Sequence, residues 1–110
     1  MLANIESVEQ ISYVFESGLY VAKTIALFYG SQQCPPCKMM AQWIAENVKE
    51  DVVLFIDVDK FPELAEKNGI SAVPTLFLYR YDKDAEGNYS VAEIATIRGY
   101  DTNKLSQFVI

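Results

Sequence analysis

A chain of 110 residues, 51% hydrophobic and 22% charged, is sized for one compact domain that needs no staple to fold. Fifteen acidic against nine basic residues give a formal charge of −6, opposite in sign to a phosphate-tracking surface, so nucleic-acid and anionic-membrane binding are disfavoured. The absence of histidine removes Ser-His and Cys-His catalysis, imidazole metal ligation and a histidine pH switch.

The opening MLANIESVEQ has neither the basic nor the apolar segment of a secretory leader, and no apolar run nears membrane-spanning length. A cytoplasmic protein is expected. With no repeats, low-complexity tracts or Ser/Gly-rich linker, residues 1–110 read as a single domain. Leu2 to Ile5 reads as a short edge strand. Ser7 is placed as the N-cap of a helix whose apolar positions Val8, Ile11, Tyr13, Val14 and Phe15 recur until Gly18. Lys23 to Tyr29 is a continuous apolar run closed by Gly30 and Ser31, the pattern of a strand buried on both faces. From Cys34 the period becomes helical to about Glu50, with Cys37, Met40, Ile44 and Val48 on one stripe and Lys38, Gln42, Glu46 and Lys49 outside it. Asp51 to Asp59 reads as a second buried strand. Phe61 to Asn68 follows as a short helix with Pro62 in its first turn and Gly69 beyond its end. Thr75 to Tyr81 and Ser90 to Arg98 flank the polar turn Asp82 to Asn88 as an antiparallel hairpin, with Tyr81 and Tyr89 as hairpin pairs. Asp101 or Thr102 caps a last helix whose apolar side is Leu105, Phe108 and Val109. The order β-α-β-α-β-α-β-β-α predicts an α/β fold, a mixed central sheet with helices on both faces.

The two cysteines stand three apart in Cys34-Pro35-Pro36-Cys37, a separation that chance gives roughly 2% of the time. A buried apolar pair, or half of a zinc site shared across a dimer, is the bland reading; structural zinc wants four ligands and this chain offers two. Redox chemistry needs no third ligand. At a helix start, residues i and i+3 lie within one turn, close enough to close a small disulfide ring, and first-turn N–H groups point at the first sulfur. Those donors and the helix dipole favour a Cys34 thiolate, the attacking nucleophile. Cys37, deeper and on the apolar stripe, is the natural resolving thiol. Pro35 and Pro36 fit the first turn, but each removes an N–H that could have bonded the Cys34 sulfur. Trp43 falls between stripe positions and reads as packing.

Phe28-Tyr29, then Cys34-Pro35-Pro36-Cys37-Lys38-Met39-Met40-Ala41, then Asn68-Gly69-Ile70-Ser71-Ala72-Val73-Pro74-Thr75, resemble the active-site helix and the Gly-Ile-x-x-x-Pro-Thr segment of the thioredoxin family. The resemblance extends over essentially the whole chain, through Asp59, Phe61-Pro62, the hairpin and Gly99. It implies the thioredoxin fold, a cis Val73–Pro74 bond beside the dithiol, and a Val73 backbone free to pair with an extended substrate strand. It also implies a protein-disulfide reductase acting on disulfide-containing proteins and recharged by an electron donor such as a thioredoxin reductase. No cofactor beyond the Cys34–Cys37 pair, no metal and a monomeric state are expected. Val73, Pro74, Pro35 and Tyr29, the last as floor of the site, are the residues expected to meet substrate.

The sequence also departs from the family pattern. Gln33 stands where a tryptophan usually precedes the nucleophile, with one extra residue read as inserted in Gly30-Ser31-Gln32-Gln33. The family's buried acid falls on Leu27 and its lysine partner on Phe55, which puts the proton transfer from the resolving cysteine in doubt. Asp57 and Asp59 are the candidate substitutes, with water as an alternative. The proline that kinks the active-site helix is Gln42, so a straighter helix is expected. Two other functions remain open: glutathione mixed-disulfide reduction of the glutaredoxin kind, suggested by Arg98-Gly99-Tyr100-Asp101, and a non-catalytic binding module on the same scaffold.

Overall fold

The computed structural model describes residues 2–17, 24–48 and 52–107. Its elements run β1 (Leu2–Asn4), α1 (Glu9–Ser17), β2 (Thr24–Gly30), α2 (Pro35–Asn47), β3 (Val52–Asp57), α3 (Pro62–Lys67), β4 (Thr75–Lys83), β5 (Tyr89–Arg98) and α4 (Thr102–Ser106), in the predicted order. The strands form one mixed sheet ordered β1-β3-β2-β4-β5. β3 is parallel to β1 and β2, whereas β4 is antiparallel to β2 and β5. β2 and β3 lie inside the sheet with apolar cover on both faces, which is why their sequences show continuous apolar runs rather than alternation.

Side chains alternate across the strands and so divide the core in two. On one face Ala26, Phe28, Phe55 and Leu76 meet Cys37, Met40 and Ile44 of α2 and Leu105 of α4. On the other, Leu27, Tyr29, Leu54 and Ile56 meet apolar residues of α1 and α3. Trp43 packs against the first of these cores, as its helical position suggested.

Tyr29 belongs to the second core. Its side chain is 1% exposed and its ring meets Phe77 edge-on at 5.8 Å. It therefore does not form the floor beneath the cysteines; strand parity gives that face to its neighbour Phe28. Burial, reinforced by Tyr79, pushes the Tyr29 phenol up from 10.0 to about 12. The folded state thus keeps a proton that the unfolded chain has lost, so this contribution to stability is complete below pH 10.0 and disappears as pH rises to about 12. At about 1.4 kcal/mol per pKa unit the loss amounts to roughly 2–3 kcal/mol. Urea unfolding across that interval is expected to show a smaller decline in Tyr29→Phe than in the wild type, the remainder coming from Tyr79 and Tyr81, whose phenols burial also pushes up; equal slopes for the two proteins would exclude it.

Several local expectations are corrected. Helix α1 starts at Glu9, so Val8 lies outside it and is exposed. Ser7 contributes its backbone carbonyl to the Gln10 amide, while the Gln10 side-chain oxygen accepts from the amides of Glu6 and Ser7. The hairpin strands run on to Lys83 and from Tyr89, because Asp84 Oδ1 accepts from the Glu86 and Asn88 amides and tightens the turn. Tyr81 faces Val91 in the register, and its hydroxyl donates to the Phe15 carbonyl, tying β4 to α1. Features expected at Gly18, Lys23, Lys49, Glu50, Asp51, Phe108 and Val109 lie outside the described residues.

Candidate active site

The site forms where β2 and β3 end side by side, with Gly30 paired to Asp57. Beneath this end the Phe28 and Phe55 rings meet edge-on at 5.1 Å. A Cβ on Gly30 would lie 2.7 Å from Phe55 Cε2 and 3.2 Å from Phe28 Cε1, so the aromatic pair leaves room only for glycine. The next residue anchors the turn into α2: Ser31 Oγ donates to Asp59 Oδ2 at 2.7 Å and accepts from the Gln33 amide at 3.3 Å. The Cys34 amide donates to the Ser31 carbonyl at 3.3 Å. Ser31 was not singled out from sequence beyond ending a strand, because its partner is 28 positions away.

Cys34 is the N-cap of α2, in extended conformation with φ −106° and ψ 107°. Pro35 and Pro36 occupy the first helical positions and have no N–H to give, so the first available donor is the Cys37 amide, which bonds Cys34 Sγ at 3.2 Å. The cysteines are joined as a disulfide with Cα atoms 5.2 Å apart. Cys34 is half-buried between exposed Gln33 and exposed Pro35, whereas Cys37 is 2% exposed and packs in the first core. Helix α2 continues unbroken to Asn47, with Gln42 bonding Glu46 one turn on at 3.1 Å where a kinking proline was absent from the sequence.

The segment between α3 and β4 closes the site. The Val73–Pro74 bond is cis, and the Val73 carbonyl lies 3.9 Å from Cys34 Sγ. Two hydrogen bonds fix the segment, Thr75 Oγ1 to the Ala72 carbonyl at 2.8 Å and the Gly99 amide to the Pro74 carbonyl at 2.9 Å. Gly99 has φ +81°, a left-handed conformation that suits glycine. Cys34, Val73, Pro74 and Pro35 are thus brought together, and Tyr29 is not among them.

The structure also moves the position of the missing acid. A group serving Cys37 must stand on Cys37's face of the sheet, yet Leu27 pairs with Leu54 and lies in the core under α1 and α3. Phe28 is the residue opposite Phe55 on the Cys37 face. Shifting the match from Leu27 to Phe28 removes the need for an extra residue in the turn, and the apolar pair expected at Leu27 and Phe55 is instead the aromatic pair Phe28 and Phe55. Asp57 and Asp59 have other commitments: Asp57 Oδ1 accepts from the Asp59 amide at 2.9 Å, and Asp59 holds Ser31. In the 98–101 segment, Asp101 caps α4 by accepting from the Asn103 and Lys104 amides.

The thioredoxin family model matches residues 8–105. Thioredoxin-1 of Saccharomyces cerevisiae is 33% identical over 73 residues, covering 64% of this chain and 71% of that protein. Thioredoxin-1 of Drosophila melanogaster is 31% identical over 91 residues, covering 79% of this chain and 77% of its own length. In structure, the thioredoxin of Plasmodium falciparum superposes with a TM-score of 0.79 at 20% identity, over 96% of this chain and 82% of that one. A cysteine pair closed at the start of α2, a cis-proline segment against its first sulfur and a sequence match running through both place this chain in the thioredoxin family.

Proposed function

We propose that the protein is a thiol–disulfide oxidoreductase that reduces protein disulfides through Cys34 and Cys37. The observation that carries this reading is the asymmetry of the pair: Cys34 is accessible and its sulfur accepts the Cys37 amide, whereas Cys37 is buried one turn behind it. A hydrogen bond to sulfur and the helix start both stabilise thiolate, which makes Cys34 the attacking atom and Cys37 the resolving one. The dithiol supplies two electrons and two protons, and substrate leaves as two thiols. Val73, beside Cys34, offers backbone groups to an extended substrate segment, and Pro35 borders the approach.

The cysteine pair is the whole redox apparatus of this reading, with no other cofactor. An electron donor such as a thioredoxin reductase recharges it. The reading takes the chain as one domain acting as a monomer in the cytoplasm, where ambient thiol pools favour net reduction. It is supported by the acidic charge, and no helix among the described residues is long and apolar enough to cross a membrane. Asp101's engagement with α4 argues against the glutathione alternative, because its carboxylate already serves two amides. The test compares insulin with a glutathione mixed disulfide under dithiothreitol turnover. Insulin is expected to be reduced about tenfold faster or more relative to each uncatalysed rate. A preference for the glutathione substrate would select the glutaredoxin-like reading, and no acceleration of either would select a binding module.

A further inference from the structure

The resolving step must dispose of the Cys37 proton, and no carboxylate is among the residues that line the pocket beside it. We propose that this proton leaves through a partly polar pocket beside Cys37, with water as its acceptor and Lys38 favouring the thiolate; this rests on the oxidoreductase reading. The pocket, of about 200 Å3, lies between the turn after β2, the start of α2 and the β1 and β3 strands. Asn4, Ser31, Gln32, Lys38 and Ala41 line it together with Cys37 and Phe55. Its volume is well above the roughly 10–15 Å3 that one water requires, and three uncharged polar side chains supply partners for such water. Cys37 is 2% exposed and forms part of this wall.

The charged surroundings are simple. Lys38 is the one charged residue among those lining the pocket. Tyr100, in the loop between β5 and α4, is an ionisable side chain packed against that core. Asp57 and Asp59 spend carboxylate oxygens on the Asp59 amide and on Ser31. Once Cys34 has attacked, its sulfur is bonded to one substrate sulfur and Cys37 is a free thiol. The Cys37 proton passes to pocket water and the thiolate attacks Cys34 Sγ. The Cys34–Cys37 bond forms as the Cys34–substrate bond breaks, and the electron pair leaves on the substrate sulfur, which is protonated by solvent. The resolving rate then follows the Cys37 thiolate fraction, rising about tenfold per pH unit below the thiol pKa.

The test uses the reduced protein and the chromogenic disulfide dithiobis-nitrobenzoate, whose first thiol is released by Cys34 attack and whose second is released by Cys37. Ala41→Leu narrows the pocket and is expected to slow the second release about tenfold while leaving the first within about twofold. Ala41→Ser keeps the pocket open and retains the wild-type second release, which separates blockage from damage to α2. Lys38→Gln moves the pH profile of the second release upward by about one unit. A wild-type second release in Ala41→Leu overturns the proposal, as does a wild-type profile that inflects at about pH 4–5, the carboxylate range. Absence of even the first release would strike at the oxidoreductase reading instead.

Discussion

Cys34→Ser is expected to bring dithiothreitol-driven insulin reduction down to the uncatalysed rate, a loss of at least about a hundredfold. A serine hydroxyl at the α2 N-cap still accepts the Cys37 amide, so the helix start survives while the nucleophile is gone. Cys37→Ser has a different signature. Attack by Cys34 remains possible, but nothing resolves the product, so the variant accumulates a covalent adduct with insulin chains, visible by mass and on non-reducing gels. The ordering follows from the half-buried first sulfur and the 2% exposed second one. An adduct on Cys34→Ser and none on Cys37→Ser would reverse the roles; undiminished turnover in both would end the catalytic reading.

Phe28→Asp, which returns a carboxylate to the strand position facing Cys37, is expected to cost about 4 kcal/mol or more of folding stability. Phe28 is fully buried, and its ring meets Phe55 edge-on. Truncating a buried phenylalanine alone costs about 3–5 kcal/mol, and an acid in that space is either an unpaired charge or a protonated group with few partners. Against a usual reserve of about 5–15 kcal/mol the variant stands near unfolding. Phe28→Leu, which keeps the site apolar, is expected to lose only about 1–2 kcal/mol. Urea midpoints of the oxidised proteins measure both. Near-equal midpoints for Phe28→Asp and wild type would mean that the aromatic pair is not what fills this end of the sheet.

The legible parts of this molecule are those with local signals. Each element announced itself by period or by its turn residues, and the two cysteines stood out because a spacing of three at a helix start has a direct mechanical meaning. Strand parity did not announce itself. In the run from Ile25 to Tyr29 every residue is apolar and buried, so nothing in it says which side chains face α2. That information lies in the pairing of Phe28 with Phe55 and Leu27 with Leu54, a relation between distant strands. The misplacements of Tyr29 and Leu27 have this one cause. The bond between Ser31 and Asp59 escaped notice for a related reason: neither residue type nor spacing marks a bridge between two turns, and only the folded sheet brings them within 2.7 Å. Gly30 was visible as punctuation, but the reason for it, the Phe55 ring edge, was not.

The proline pair concentrates the electrostatics of the first sulfur into a single peptide group. With Pro35 and Pro36 silent as donors, the Cys37 amide is the hydrogen bond that Cys34 Sγ receives from its own helix. One backbone resonance, the Cys37 N–H, is therefore a built-in gauge of charge on the nucleophile. Its nuclear magnetic resonance shift should move when Cys34 ionises, binds substrate or closes its ring, and so read the redox state of the protein from a single atom.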